Sequence, residues 1–272
     1  MTLTATAQSE ARERCKRIRD VIIEMSYRAN SAHLGSSLSC VEILDAIVAE
    51  SNLRADTVDL AGRDRIVVSK GHAAMAYYAV LHCWGMIDAD HIRSYLDNGT
   101  MLWGHVTRHA KIPAIDCSTG SLGHGLSYAT GLALAYRLRG HRGRIFCVLS
   151  DGECDEGSTW EAALFAGHHR LSNLTAVVDY NKIQSIGTTA QTLDLEPFDA
   201  KWAGFRWSVG RCDGHDRQAL ADSFQHGAAP RAILADTVKG KGIPRIENTV
   251  ASHYKPALHE DRAEIFHAHS ID

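Results

Sequence analysis

The sequence predicts an α/β fold: a mostly parallel β-sheet covered by helices on both faces. Short apolar runs alternate along the chain with segments of helical periodicity, the pattern of strands joined by helical crossovers. Several of these runs, such as Ile66-Val67-Val68 and Ile145-Phe146-Cys147-Val148-Leu149, are apolar throughout, as strands inside a sheet are. They end in small, polar or glycine-containing loops, and at such carboxyl-edge loops open α/β folds bind ligands.

Taken in order, the residues before about Ser9 read as a frayed start, and Ile18, Val21, Ile22 and Met25 mark an amphipathic helix over 10–27. A loop of small polar residues follows over 30–37. Ser39 with Glu42 forms a capping-box pattern opening a helix through Val48. Arg65 to Val68 is a strand leading into Ser69-Lys70-Gly71-His72 and a helix from Ala73 to Trp84. Asp88 caps a helix to Tyr95, Asn98-Gly99 marks a turn, and Trp103-Gly104-His105 lies in an irregular stretch. The glycine-rich Ser118 to Gly125 precedes a helix over 126–138, rich in Ala, Leu and Gly and expected to be buried on several sides. A strand over 144–149, a helix near 159–170 opened by a Ser158 and Glu161 capping box, and a strand over 174–179 form the central unit. Residues 184–200 read as loop, 206–209 as a strand, 216–224 as a helix capped by Asp216, and 231–238 as the last strand. An irregular tail begins at Ile243. No repeat or linker divides the 272 residues, a length sufficient for one large α/β domain.

The composition narrows the function classes. A formal net charge of -3 gives no general attraction to nucleic acid or an anionic membrane, so any phosphate binding must be local. Seven scattered cysteines, without a Cys-x-x-Cys pair, argue against a disulfide framework or zinc site and fit a reducing cytosol. The polar start lacks the apolar core of a signal peptide, and no apolar run approaches a membrane span.

The candidate chemistry sits at two strand tips. One apolar run stops at Ser150-Asp151-Gly152-Glu153 and the next at Asp179-Tyr180-Asn181-Lys182-Ile183. Parallel neighbours joined by a helix would bring Asp151 and Asn181 side by side. A carboxylate, an amide oxygen and the main-chain oxygen of Ile183 form an all-oxygen set suited to Mg²⁺ or Ca²⁺, with phosphate oxygens completing the shell. Taken singly, each signal has a plainer explanation: an Asp-Gly after a strand is usually a turn, and a glycine-rich loop is usually just tight. A lone histidine is more often solvated than catalytic. The loop at Gly120 lacks the Lys-Ser or Lys-Thr ending of a nucleotide P-loop. Lys239 and Lys241 read either as surface charges or as diphosphate partners. Cys154 reads as a small filler, and His226, His259, His267 and His269 as uninvolved. Loops carrying His33, His72, His105 and His253 are expected to converge on one edge of the sheet.

Together the motifs carry a family likeness over about 15–255. Asp151-Gly152-Glu153, Glu156-Gly157, Trp160-Glu161-Ala162 and Asn181 resemble the thiamine-diphosphate motif in its transketolase form. Ser31-Ala32-His33, Ser69-Lys70-Gly71-His72, Trp103-Gly104-His105, Thr119-Gly120-Ser121-Leu122-Gly123 and Lys239-Gly240-Lys241-Gly242 follow in the family's order. The chain resembles the N-terminal subunit of a split transketolase: one diphosphate-binding domain over 1–272, with the pyrimidine-binding domain expected on a separate chain. The resemblance implies thiamine diphosphate and Mg²⁺ (or Ca²⁺ or Mn²⁺) as cofactors, with Asp151, Asn181 and the Ile183 carbonyl holding the metal. Gly152 and Glu153 would line the diphosphate, Gly120 and Leu122 would meet the aminopyrimidine, and Ser36, His72, Lys239 and His253 would touch the cofactor. His33, His105 and His253 match donor-gripping positions, which with His72 form the implied catalytic set. Glu156 and Glu161 match acids at an interface between subunits. Ala32, Val106, His124, Ser150 and Tyr180 depart from the family's usual residues, which bears on the substrate more than on the cofactor.

The implied activity is transfer of a two-carbon ketol unit from a ketose or its phosphate to an aldose. It would require a partner chain in an α2β2 assembly, with no nucleic acid or membrane partner. Two other readings stay open: the first component of a 2-oxo acid dehydrogenase or a deoxyxylulose-phosphate-type synthase, and a non-catalytic subunit that keeps the fold.

Overall fold

The computed structural model describes residues 3–225 and 227–266; His226, His267 and His269 lie outside them. Its centre is a five-stranded sheet built from β1 (Arg65–Val68), β2 (Ile145–Ser150), β3 (Leu174–Tyr180), β4 (Ser208–Asp213) and β5 (Arg231–Asp236). The order is β1-β2-β3-β5-β4 and every pairing is parallel. Ser150 lies opposite Asp179, so β2 and β3 end together and their following loops leave side by side. The expected crossover is α7 (Gly157–His168).

Alternation along each strand feeds two separate cores. Ile66, Val68, Phe146, Val148, Val177 and Ile233 face a layer containing α1 (Ala5–Ala29), α2 (Leu34–Ser39), α3 (Val41–Glu50), α4 (Ala74–Cys83) and α10 (Arg217–Ser223). Val67, Ile145, Cys147, Leu149, Ala176, Val178 and Leu234 face α6 (Gly125–Leu138), α7 and α9 (Phe198–Gly204). Burial on both sides is why these strands read as continuous apolar runs. The short α5 (Ala89–Arg93), α8 (Thr189–Thr192) and α11 (His259–Phe266) complete the helices among the described residues. None of these helices is long and apolar enough to cross a membrane.

Several sequence expectations need correction. The segment read as frayed is already helical from Ala5, because the Thr4 hydroxyl caps Ala7 and Leu3 N–H donates to Gln218 at 2.6 Å. The loop expected over 30–37 contains α2, which packs so closely that a Cβ on Gly35 would lie 2.2 Å from Ser252 Oγ. Neither proposed capping box forms. The Ser39 hydroxyl turns to Asp179 and the Ser36 carbonyl, while Ser158 donates to Gly123 O at 3.0 Å, because each lies nearer a tertiary acceptor than a free helix N–H. The stretch 184–200 contains α8 and α9, and the tail contains a 3-10 turn (Val250–His253) and α11, all too short or polar to show periodicity. The strand expected at 206–209 runs instead over Ser208–Asp213, as a half-exposed edge with Gly210 and Arg211 in place of an apolar run. Helix α6 buries one face only: Leu126, Ala129 and Ala133 are inside, while Tyr128 and Leu138 are exposed. Asp88 and Asp216 do cap their helices.

A buried acid ties the first layer to the β4–α10 loop. Glu42 on α3 accepts from Arg19 at 2.8 Å and from His215 Nδ1 at 2.9 Å, and His215 Nε2 accepts from Val238 N–H. Burial opposes the charge on Glu42, but the His215 hydrogen bond and the Arg19 guanidinium outweigh it and hold the carboxyl down to about 2. Its folded pKa is therefore below the unfolded one. Its contribution is complete above about pH 4.5 and is lost as pH falls through about 2. Glu42→Gln should cost on the order of 2 kcal/mol at pH 7 and much less near pH 2. Thermal melts at both pH values check this; equal losses at both would exclude an electrostatic role.

Candidate active site at the carboxyl edge of the sheet

The loops after β1, β2, β3 and β5 enclose a cleft of about 230 Å³ with α2, the 105–122 segment and the Val250–His253 turn. It is lined by His33, Ser36, His72, His105, Gly120, Leu122, Asp151, Gly152, Asn181, Ile183, Lys239 and His253, all expected from the sequence. Lys70, Ser150, Gln184 and Ser185 join them. Backbone contact makes this convergence possible. A Cβ on Gly71 would come 2.6 Å from Gly120 N, and one on Gly120, at φ +135°, would come 2.8 Å from the His105 ring. Glycine at both positions lets the β1 loop, the glycine-rich loop and His105 meet.

The four imidazoles come from four separate segments. His33 lies with ring centroids 5.5 Å from His72, 5.5 Å from His105 and 5.1 Å from His253. His33 itself is left-handed (φ +70°), held there by its N–H donating to His253 O at 2.9 Å. Burial, then the neighbouring His105 and Lys239, lowers the His33 pKa to about 4. Burial, then Lys239, lowers that of His253 to about 3. Burial and then Lys70 carry His72 well below the ordinary imidazole range. These three rings are therefore neutral near pH 7. The His253 Nδ1 lies 3.3 Å from Lys239 Nζ and 3.4 Å from Ser36 Oγ. An ammonium only donates, so Nδ1 accepts and Nε2 carries the proton.

At the β2 and β3 tips, Asp151 accepts from Gly152 N–H at 2.7 Å and from Lys182 N–H, a residue at φ +67°. Asn181 Oδ1 accepts from Ile183 N–H at 3.1 Å, and the Ile183 carbonyl accepts from Lys239 Nζ at 2.8 Å. Burial, and then the charge of Asp179, push Asp151 up to about 7. This is the behaviour of a buried carboxylate short of positive charge, since the nearby Lys70 already pairs with Asp179. The all-oxygen set of Asp151, Asn181 and Ile183 thus fits a hard divalent cation, which would supply that charge. No cluster of three His, Cys, Asp or Glu suited to a metal occurs among the described residues, so such an ion would rest on one carboxylate.

The remaining expected residues lie elsewhere. Glu153 is under the floor, fully buried, accepting from Ser69, from Gly123 N–H at 2.9 Å and from Ser150 N–H at 3.4 Å, and so joins the β1, β2 and glycine-rich loops. Glu156 and Glu161 are exposed at the start of α7, outside the cleft. Lys241 is also outside it, and His124 is exposed. Cys154 is buried, with its thiol pKa raised well above the ordinary range, and acts as a filler. Sequence reasoning assigned no role to Lys70 or Asp179, an ion pair with both side chains fully buried. The available signal was a charge set into buried surroundings: a lysine directly after an apolar strand, and an acid interrupting Val177-Val178-Asp179-Tyr180.

Residues 10–270 match the family described as transketolase, thiamine diphosphate binding domain. One of the two subunits of the apulose-4-phosphate transketolase of Actinobacillus succinogenes is 39% identical over 254 residues, covering 90% of this chain and 91% of that one. The 6-deoxy-6-sulfo-D-fructose transketolase subunit SqwG of a Clostridium species is 38% identical over 241 residues, 87% of each chain. A transketolase structure from Pichia stipitis superposes with a TM-score of 0.89 at 24% identity, covering 94% of this chain and 40% of that chain. A sheet edge built to meet a charged ligand, a match over nearly the whole sequence and a shared fold lead to one assignment: the chain belongs to the transketolase family, through its thiamine diphosphate binding domain.

Proposed function

We propose that this chain is the diphosphate- and metal-binding half of a two-chain transketolase that transfers a two-carbon ketol unit from a ketose to an aldose. The observation that carries this reading is the ring of His33, His72, His105 and His253 around one cleft that also holds Asp151, Asn181 and Lys239. Thiamine diphosphate supplies, when bound, a nucleophilic carbon and an electron sink for breaking the bond beside a ketose carbonyl. Asp151, Asn181 and the Ile183 carbonyl would hold Mg²⁺, or Ca²⁺ or Mn²⁺ in its place. Lys239 and the backbone at Gly152 would face the diphosphate, Gly120 and Leu122 the aminopyrimidine, and Ser36 and His72 the remainder. His33, His105 and His253 would hold the donor's hydroxyls. For His253, Nε2 is the nitrogen free to give or take a hydroxyl proton, because Nδ1 faces Lys239.

Rings held neutral by burial suit the hydroxyls of a sugar better than the carboxylate of a 2-oxo acid, which calls for fixed positive charge. The relatives named above act on an apulose phosphate and a sulfo-fructose, so a ketose with a distant anionic group is the expected donor class. Their designation as subunits supports a partner carrying the pyrimidine-binding domain. Glu156, Glu161, Leu164, Phe165, Tyr128 and Leu138 leave an exposed, partly apolar face on α6 and α7, which supports an α2β2 assembly.

Co-purifying the chain with a pyrimidine-binding partner and adding thiamine diphosphate and Mg²⁺ should give ketol transfer from a ketose phosphate and none from pyruvate. Absence of transfer from every ketose donor would overturn the reading. Sedimentation of the mixture should show an assembly larger than one copy of each chain.

A further inference from the structure

We infer that Asp179, held by Lys70, is a positioning residue that orients the Asn181 amide so that its oxygen faces the metal site. The inference rests on the metal-binding reading above.

Asp179 ends β3 and is fully buried. Its Oδ2 accepts from Lys70 Nζ, Ser39 Oγ and, at 3.3 Å, Asn181 Nδ2, and its Oδ1 accepts from Thr237 Oγ1. Lys70 Nζ also donates to the Ser36 carbonyl at 3.1 Å. One buried pair thus joins α2 and the carboxyl ends of β1, β3 and β5. Each of these elements also places a residue in the cleft: Ser36, His72, Asn181 and Lys239.

The orientation follows from hydrogen-bond chemistry. An amide has a donor end and an acceptor end, and an ionised carboxylate only accepts. Facing Asp179, Asn181 can present only its NH₂; turning it over would set two acceptors against each other. Its oxygen is thereby directed away, to the side where it accepts from Ile183 N–H at 3.1 Å. Lys70 keeps Asp179 an obligate acceptor by pairing with it. A buried ion pair stabilises a fold no better than apolar residues of similar shape, so its use beneath a ligand amide fits a positioning task.

Mn²⁺ titration of the full chain with thiamine diphosphate present, followed by electron paramagnetic resonance, tests this. An asparagine at 179 can donate as well as accept, so Asp179→Asn should weaken Mn²⁺ by about 10–100-fold, the usual effect of losing a partner that orients a ligand. The double variant Lys70→Met/Asp179→Asn leaves no lone buried charge. It should recover much of the native thermal midpoint while Mn²⁺ binding stays weak, a split that a merely structural pair would not produce. Asn181→Ala must itself weaken Mn²⁺. If it does not, the metal-site reading fails; if it does and the double variant binds Mn²⁺ as the native chain does, the positioning inference fails. Should both variants at 179 fail to fold, the native chain decides. The Asn181 NH₂ resonance, assigned by its loss in Asn181→Ala, should exchange slowly with solvent, and fast exchange overturns the inference.

Discussion

Asp151→Asn should bind Mg²⁺ in the presence of thiamine diphosphate at least about 100-fold more weakly than the native chain, more than the loss of an orienting partner causes. Its ketol transfer with the partner chain should fall in proportion. The substitution keeps the side chain's shape and one acceptor, so Lys182 N–H and Gly152 N–H compete for it and the fold survives. What is lost is the one carboxylate in the oxygen set. Asn181 and the Ile183 carbonyl are neutral, and Asp179 is neutralised by Lys70. A divalent cation would then face dipoles alone, with Lys239 and Lys70 repelling it. Calorimetric titration measures the affinity directly. Native-like affinity in a folded Asp151→Asn chain would remove the metal from this site.

The second large effect should come from His33→Asn, with kcat/KM for a ketose donor falling by about 10²–10⁴, the range for losing a positioned acid-base group. Asparagine is chosen because position 33 is left-handed, a conformation it tolerates and alanine resists. The backbone bond to His253 O survives, and His33 makes no hydrogen bond to Asp151 or Asn181, so cofactor affinity should be unchanged. The native pH profile carries a companion test. His33 and His253 titrate near 4 and 3, below an unperturbed histidine, so both stay neutral as pH falls through 6.5. The acid side of kcat/KM should therefore remain flat to about pH 5. Over the interval below pH 6.5 the unfolded chain binds these protons first, so fold stability declines there before activity does. Loss of kcat/KM centred near pH 6.5 would show that the rings are not desolvated in the working enzyme.

Much of this site was legible before any coordinates. Strand tips announce themselves, since an apolar run must end where the sheet does, and Asp151 and Asn181 follow two such ends. Glycine at 71 and 120 and histidine at 33, 72, 105 and 253 stand out because those residue types are unusual in tight loops without a reason. Short helices were not legible. Helix α2 has six residues, too few to display a period, and it exists through packing against Ser252 more than two hundred positions away. Capping boxes were over-read for a related cause: Ser39 and Ser158 carry the right pattern, but nearer acceptors on other segments claim their hydroxyls.

The sequence by itself determined the parallel sheet, the two strands that end in oxygen ligands and the set of imidazoles available to a ligand. These depend on local periodicity and on residue types that chemistry cannot exchange. Only the tertiary structure decided which charges are hidden: that Lys70 pairs with Asp179 beneath the floor, that Glu153 joins three loops instead of lining the cleft, and that Lys239 enters it while Lys241 does not. Burial and partners are properties of distant segments brought together, and protonation follows from them. The neutral state of the histidine ring, on which the proposed chemistry depends, came into view only with the fold.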